Sequence, residues 1–341
     1  MMVTYMVIPT AESVGGWKEL ERVSLSDPSS DPLLCENFTS KPYYMLLSYP
    51  IFDDTNSKDL KFGVGTTTLD TGSNYSLRFS DNGGSDGTAT SQDPPNVTLI
   101  SSNNTLDNGF AVTFLDNNTN EDKLAISNCV SPSSTGAGNI PNRRDVVVKW
   151  ANNSALMQTA QIYRPSYLMD TTSELVVLGY DPTDDNEGGF WEELASLSGD
   201  GTSASLDTGT FDAKKYLMFE IFLDDAVGFG MRVNGDDGNN YARRYTSNGT
   251  THESNASIDK MAYFYDLAPA HVVGYISNPS GRESLMVFHT SETNDVTGAG
   301  TAPNRMEGVI KWADTDQINS VNIYKTATFS SACHMKIWGA D

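Results

Sequence analysis

The sequence predicts an all-β protein made of two tandem, homologous, jelly-roll-like β-sandwich domains. Three observations lead to this fold class: a long internal repeat, apolar runs of strand length, and an almost complete lack of helical periodicity. The chain has 341 residues. That length is large for a single core and comfortable for two, because domains usually hold about 100–200 residues.

The repeat is clearest in one nine-residue segment. Residues 135–143 read Thr-Gly-Ala-Gly-Asn-Ile-Pro-Asn-Arg, and residues 297–305 read Thr-Gly-Ala-Gly-Thr-Ala-Pro-Asn-Arg. Both segments lead into Lys-Trp-Ala, and they lie 162 positions apart. Internal similarity of this kind indicates a repeated folding unit. The matched landmarks place the two domains at 12–181 and 182–341, joined by a polar linker, with 1–11 as an N-terminal arm or edge strand.

Apolar runs of four to eight residues recur along both units and are separated by breakers rich in Gly, Asn and Asp. β-branched and aromatic residues dominate these runs, which is typical of strands. The predicted strands are 43–49, 110–115, 145–150, 174–179, 216–223, 272–276, 285–289 and 308–312. Two short segments with helical spacing, 17–23 and 191–197, are assigned to the first strand of each unit. About eight short strands per unit favour a jelly roll.

The composition excludes several classes of function. There are 44 acidic and 22 basic residues, giving a formal net charge of −22. Such a surface repels phosphate backbones and anionic lipid head groups, so we expect no nucleic-acid binding. Apolar runs stay below the roughly 20 residues of a membrane span, and the apolar segment 1–10 lacks a positive flank. A soluble product without a cleaved signal peptide is therefore expected.

Cysteines and histidines point away from metal and nucleophile chemistry. Cys35, Cys129 and Cys333 show neither a paired framework nor zinc-ligand spacing, so no disulfide and no zinc site are expected. All four histidines, His252, His271, His289 and His334, lie in the second unit. A duplicated enzyme that depends on histidine is therefore not expected, and no catalytic residue is assigned.

The repeated glycine segment is predicted to be a tight turn rather than a phosphate loop. It lacks the Gly-Lys-Ser/Thr ending and precedes a strand instead of a helix. The turn would need a left-handed φ at Gly136 or Gly138, and at Gly298 or Gly300. We expect no cofactor. Two Asp/Asn/Gly loops, 81–87 and 234–240, are alternative candidates for calcium binding. Neither has the terminal Glu of an EF-hand, and solvated turns are the simpler interpretation.

Four arginines at matched positions are candidates for binding or for an interface. Arg143 and Arg305 each precede an acidic residue by two positions, Asp145 and Glu307. Strand alternation puts each pair on one face, which favours either an exposed ion pair or a carbohydrate or anion site. Arg78 and Arg244 are the corresponding candidates earlier in each unit.

Tryptophans also recur at matched positions. The pairs are Trp150 with Trp312 and Trp17 with Trp191. Recurrence favours packing between sheets, because a sugar-stacking role would need exposed rings. These four residues are therefore the predicted structural core markers.

Together these landmarks resemble a domain of virion structural proteins from tailed bacteriophages and related marine viruses. The residues that carry the resemblance recur in the same order in both units. They are Trp17, Tyr75, Arg78, Gly136, Arg143, Trp150 and Asp181, and then Trp191, Tyr241, Arg244, Gly298, Arg305, Trp312 and Asp341. The resemblance covers most of both units. It implies a place on the particle as a capsid, decoration, fibre or tail component, and it brings no catalytic residues.

The expected function is therefore that of a non-catalytic structural protein on the virion surface, active in assembly and host attachment. Expected partners are other copies of the chain, other virion proteins and host-surface glycans, and a homo-oligomer is the usual outcome. Two alternatives stay open: a secreted carbohydrate-binding module, and a glycoside-acting enzyme with two carboxylates about 5–10 Å apart in a cleft. The apolar extension 1–10 is expected to add a strand to a neighbour or to an edge of its own first sandwich.

Overall fold

A computed structural model describes residues 16–52, 59–94, 97–100, 108–184, 189–224, 228–263, 269–293 and 300–341. The regular elements in these ranges are β-strands, so the all-β prediction is confirmed. Within the described ranges, no helix is long and apolar enough to cross a membrane. The extension 1–10 lies outside the described residues.

Twelve strands form in the described residues of the first half of the chain, which lie between 16 and 184. They are β1 (Lys18–Ser24), β2 (Leu33–Glu36), β3 (Tyr43–Tyr49), β4 (Leu60–Gly65), β5 (Tyr75–Asp81), β6 (Gly87–Gln92), β7 (Thr98–Ile100), β8 (Phe110–Asp116), β9 (Lys123–Ser131), β10 (Asn142–Trp150), β11 (Thr159–Tyr163) and β12 (Glu174–Tyr180).

Twelve more strands form in the part of the second half that the structure describes, between residues 189 and 341. They are β13 (Glu192–Ser198), β14 (Ser205–Asp207), β15 (Tyr216–Leu223), β16 (Gly230–Val233), β17 (Tyr241–Ser247), β18 (Thr251–Ile258), β19 (Ala262–Tyr263), β20 (Ala270–Ser277), β21 (Ser284–Glu292), β22 (Asn304–Trp312), β23 (Val321–Tyr324) and β24 (His334–Ala340).

Each half contains one eight-stranded and one four-stranded antiparallel sheet. The first half has the orders β1-β12-β3-β8-β9-β10-β5-β6 and β2-β11-β4-β7. The second half has β13-β24-β15-β20-β21-β22-β17-β18 and β14-β23-β16-β19. Every strand of the second half thus takes the sheet position of the strand twelve places earlier, so the ladder registers define equivalent residues in the two halves.

The predicted apolar runs all lie within strands, and the segments 17–23 and 191–197 form β1 and β13 rather than helices. The strand number differs from the sequence expectation, with twelve strands per half instead of about eight. The additional strands are mostly the short members of the small sheets, such as β2 with four residues and β7 with three. Runs this short carry too few residues to show a pattern.

Three apolar cores hold the sheets together. One lies between the two sheets of the first half and one between the two sheets of the second. A third core joins the halves through the outer faces of the two large sheets. Alternation along β3 shows the division, because Tyr44 and Leu46 belong to the first core whereas Met45 and Leu47 belong to the third. The chain is therefore a stack of four sheets.

The four matched tryptophans occupy different layers of this stack. Trp150 and Trp312 are buried in the core of their own half. Trp191 is buried in the core between the halves, and Trp17 lies half-buried at the margin of that core. Trp150 and Trp312 thus each pack between the two sheets of their own half, whereas Trp191 and Trp17 pack in the core between the halves.

Candidate functional site

A polar cleft of about 380 Å³ opens between the two halves. Its walls use equivalent ladder positions of the two large sheets. In the first half Asn128 lies opposite Asp145, and in the second half His289 lies opposite Glu307. The repeat thus brings two copies of one strand pair to the same cavity.

Arg143 links the two walls of the cleft. Its Nη1 donates hydrogen bonds of 2.9 Å to Oγ1 of Thr246 and 2.9 Å to the backbone carbonyl of Glu307. Its Nη2 lies 2.5 Å from Oδ2 of Asp145 and 3.5 Å from Oε1 of Glu307. The pair of Arg143 with Asp145 was predicted, but its exposure was wrong: Arg143 is only 5% exposed because the second half covers it.

Arg305, the counterpart of Arg143, lines the same cleft but faces solvent. Its side chain is 65% exposed, and its Nε lies 3.5 Å from Oε2 of Glu307. One guanidinium therefore holds the halves together, while the other presents hydrogen-bond donors to the cavity.

Two histidines complete the cleft. His252 Nδ1 lies 3.0 Å from Oγ1 of Thr246, which is the hydroxyl that also accepts from Arg143. The His289 side chain is exposed at the cavity, and partial desolvation there lowers its pKa below the ordinary value. The carboxylates of Asp145 and Glu307 oppose that shift. With arginine and imidazole donors and carboxylate and hydroxyl acceptors, the cleft suits a polar ligand rich in hydroxyl groups.

The other two candidate arginines are separated from each other. Arg78 is exposed and does not line the cleft, but it pairs at 3.2 Å with Asp86, which does. Arg244 is half-buried, and its Nε donates a 2.9 Å hydrogen bond to the carbonyl of Pro141 in the other half. Burial and, after it, the positive charge of Arg143 lower the pKa of Arg244 below its ordinary value.

The repeated glycine segment makes a contact between the halves in its first copy. Gly136 has a φ of 86°, as predicted for a left-handed turn residue, and its amide donates to Oε1 of Glu283. The Ser134 carbonyl accepts a 2.6 Å bond from Nζ of Lys311. Gly138 and Gly300 do not adopt a left-handed φ. Gly298 lies outside the described residues.

The two loops considered for calcium are not equivalent. The loop at 81–87 joins β5 to β6, whereas the loop at 234–240 joins β16 to β17. In the latter, the Asp236 carboxylate accepts from the Gly238 amide, the Asn240 side chain and Trp312. Groups of three or more His, Cys, Asp or Glu suited to a metal ion do not occur in the described ranges. All three cysteines are buried and form no disulfide.

A second candidate site is an apolar face on the large sheet of the first half. Tyr43, Leu124, Ile126 and Val147 are between 42% and 56% exposed. They line two adjoining grooves of about 480 Å³ and 510 Å³, and Trp17 borders the first of these. We call Tyr43, Leu124, Ile126 and Val147 the apolar face. Contiguous apolar surface of this kind marks an interaction site more often than single exposed residues do.

The apolar face was not among the sites predicted from the sequence. Its strand β9 contains Leu124, Ala125 and Ile126 in succession, so both of its sides are apolar. Strands buried on both faces read as such runs. This succession of three apolar residues was the sequence signal that the outer side of β9 is apolar as well as its inner side.

Comparisons with known proteins give no family. A scan against protein-family models finds no match, and a search of curated proteins finds no similar sequence. Among solved structures, human GIVD cytosolic phospholipase A2 is 10% identical with a TM-score of 0.14, covering 80% of this chain and 33% of its own. The chain thus spans about a third of the length of that phospholipase.

Two further solved structures show likenesses of the same order. An acyl-CoA hydrolase from Agrobacterium tumefaciens is 7% identical, with a TM-score of 0.13 and coverage of 64% of this chain and 76% of its own. A Pseudomonas aeruginosa FadL homologue is 7% identical, with a TM-score of 0.10 and coverage of 88% and 90%. Likenesses this weak assign neither a fold family nor an activity.

Proposed function

We propose that this chain is a non-catalytic structural protein of a virus particle, active in particle assembly and in attachment to the host surface. One observation carries the proposal: a large, well-formed sheet leaves the apolar face uncovered. A protein that works alone gains nothing from exposing four large apolar side chains on one side of a rigid sheet. A protein that assembles needs such a surface.

The architecture supports the same role. Four stacked sheets with three apolar cores form a stiff body, and stiffness suits a component whose work is done through its surfaces. The formal net charge of −22 keeps such a body soluble before assembly. The motif resemblance to virion structural proteins names the kind of particle.

The proposal is tested on virus particles. An antiserum raised against the purified chain should label the outside of intact particles banded in a density gradient, and mass spectrometry of the same band should detect the chain in many copies per particle. Absence of the chain from particles that are otherwise complete would overturn the proposal.

A second candidate function is carbohydrate binding, which the polar cleft favours. Arg305, His252 and His289 offer donors, and Asp145 and Glu307 offer acceptors, within one cavity of about 380 Å³. A glycan array with the purified chain tests this function, followed by titration calorimetry with the best glycan. Replacement of Arg305 by Ala should weaken binding at least tenfold, whereas Lys149→Ala, which removes an exposed cation outside the cleft, should leave binding unchanged. Equal affinity in both variants would exclude the cleft as the glycan site.

A further inference from the structure

The two walls of the polar cleft carry the same arginine and acid but differ in the side chains beside them. Asn128 of the first wall stands where His289 stands in the second, as the ladders of β9 with β10 and of β21 with β22 show. Asp86 stands where His252 stands, by the register of the β5–β6 and β17–β18 hairpins. All four residues line the cleft. The second wall thus brings two imidazoles where the first brings an amide and a carboxylate.

Every carboxylate that lines the cleft is already paired with a cation of the protein. Oδ2 of Asp145 lies 2.5 Å from Nη2 of Arg143. Glu307 lies 3.5 Å from Arg143 through one oxygen and 3.5 Å from Arg305 through the other. Asp86 pairs with an arginine outside the cleft at 3.2 Å. The acids therefore add no uncompensated negative charge to the cavity, although each keeps lone pairs that accept hydrogen bonds from hydroxyl groups.

The donors of the second wall, by contrast, are largely uncommitted. Arg305 uses only Nε toward Glu307, and within the described residues neither Nη1 nor Nη2 makes a hydrogen bond or an ion pair. His289 makes no hydrogen bond to any residue that the structure describes, although it lies beside charged groups of both walls. The free hydrogen-bonding capacity of the cleft is therefore concentrated on a positively charged wall.

His252 adds a donor whose direction is set by its neighbours. Thr246 Oγ1 accepts from Arg143, so the proton of this hydroxyl is available to Nδ1 of His252 at 3.0 Å. This network assigns the ring proton to Nε2, which has no partner among the described residues. Gly83 permits the arrangement, because a Cβ there would lie 2.4 Å from Nδ1 of His252 and 2.7 Å from Oγ1 of Thr246.

We infer that the cleft binds a sugar that bears a carboxylate, with the carboxylate on the two Nη atoms of Arg305 and the sugar hydroxyls between the imidazoles and the paired acids. A guanidinium with both Nη atoms free matches the two oxygens of a carboxylate in a bidentate pair. A neutral sugar would leave this fork without an ionic partner. The inference rests on the proposed carbohydrate binding and names the class of sugar.

The overall charge of the chain does not prevent this binding. The formal net charge of −22 repels an anion at long range. At physiological salt, however, charges more than about 8 Å apart in solvent are largely screened. The pairs inside the cleft therefore determine the affinity, and there Arg305 lies at 65% exposure with its fork open.

A glycan array that holds carboxylated, sulfated and neutral glycans tests the inference on the purified chain. The bound glycans should carry a carboxylated sugar. In titration calorimetry, reduction of that carboxylate to the alcohol should weaken binding roughly tenfold or more, as expected for the loss of charge-assisted hydrogen bonds. Arg305→Ala should bind the carboxylated and the reduced glycan with equal affinity. Arg305→Lys, which keeps the charge but not the fork, should retain only part of the preference.

Lys149→Ala is the control, because Lys149 is an exposed cation outside the cleft, and it should keep the wild-type affinity and preference. Near-ultraviolet circular dichroism should show all three variants folded. An undiminished preference for the carboxylated glycan in Arg305→Ala would overturn the inference, as would binding of sulfated glycans alone. Neutral glycans bound as tightly as carboxylated ones would sink this inference but leave carbohydrate binding in place. Binding of no glycan at all would sink the proposed carbohydrate binding itself.

Discussion

The indole Nε1 of Trp150 donates a 2.7 Å hydrogen bond to Oδ2 of Asp70, and Trp312 makes the same 2.7 Å bond to Asp236. Each carboxylate also accepts from the amide of a glycine two positions later and from an asparagine side chain four positions later. A buried tryptophan at the end of a strand thereby fixes the loop that leads into the neighbouring strand. The repeat preserves this corner in both halves.

Replacement of Trp150 or Trp312 by Ala should lower the free energy of unfolding by about 3–5 kcal/mol, because each leaves a large cavity in its own core. Phe at either position keeps most of the ring and loses the donor, so a smaller loss of about 1–3 kcal/mol is expected. Urea unfolding measures both. A loss below about 1 kcal/mol for both Ala variants would contradict the burial of these rings.

Stability should fall in acid through Asp70, Asp236 and Glu174. Burial alone would raise their pKa values, but hydrogen bonds and, at Glu174, the charge of Lys215 bring each pKa below its ordinary value. Folding then favours the ionised carboxylates, so this stabilisation is complete above the unfolded pKa of about 4 and is lost as the pH falls through the folded values.

Urea unfolding between about pH 7 and pH 3 checks this dependence. Asp70→Asn and Glu174→Gln should each be less stable at neutral pH and should show a flatter decline in acid than the wild type. Asp86→Asn is the control, because Asp86 belongs to an exposed pair with Arg78 and should change stability by less than about 1 kcal/mol. An unchanged pH profile in Glu174→Gln would contradict the assignment of Glu174.

The thiols should be unreactive in the folded protein. Burial raises the pKa of Cys35 to about 12 and that of Cys129 to about 12, and Cys333 is also buried. Because the thiolate is the reactive form, a disulfide reagent at neutral pH should modify none of them in the native state and all three in denaturant. Rapid modification of one thiol without denaturant would show that its core opens.

Much of the fold could be predicted from the sequence, because the runs of apolar residues with high β propensity begin and end close to where the strands do. The segment 43–49 forms β3 over the predicted residues. The core between the halves was not predicted, although the unbroken apolar run of β3 is the pattern of a strand buried on both faces. Alternation placed Arg143 and Asp145 on one face correctly, but it could not show what covers that face.

The limit of prediction from the sequence is clearest where equivalent residues of the two halves differ in exposure. Leu124 and Leu285 are the same residue at the same ladder position, yet Leu124 is 56% exposed and Leu285 is fully buried. The packing of one half on the other makes this difference, and it depends on the relative placement of two finished sandwiches. A local sequence pattern carries no information on that placement: the succession Leu124, Ala125, Ile126 indicates that both sides of β9 are apolar, but not that one side stays uncovered.

Lys311 and Lys149 provide a matched test of the contact between the halves. Lys311 is fully buried beside Glu283, and burial lowers its pKa below the ordinary value. Its replacement by Met leaves Glu283 buried without its cation, so a loss of about 3–5 kcal/mol is expected. The same change at the exposed Lys149 should cost about 0–1 kcal/mol in a monomeric sample. The double variant Lys311→Met with Glu283→Leu should recover most of the loss, because no buried charge then lacks a partner. Urea unfolding of the four proteins checks the series, and equal effects at Lys311 and Lys149 would contradict the packing of the first half over Lys311.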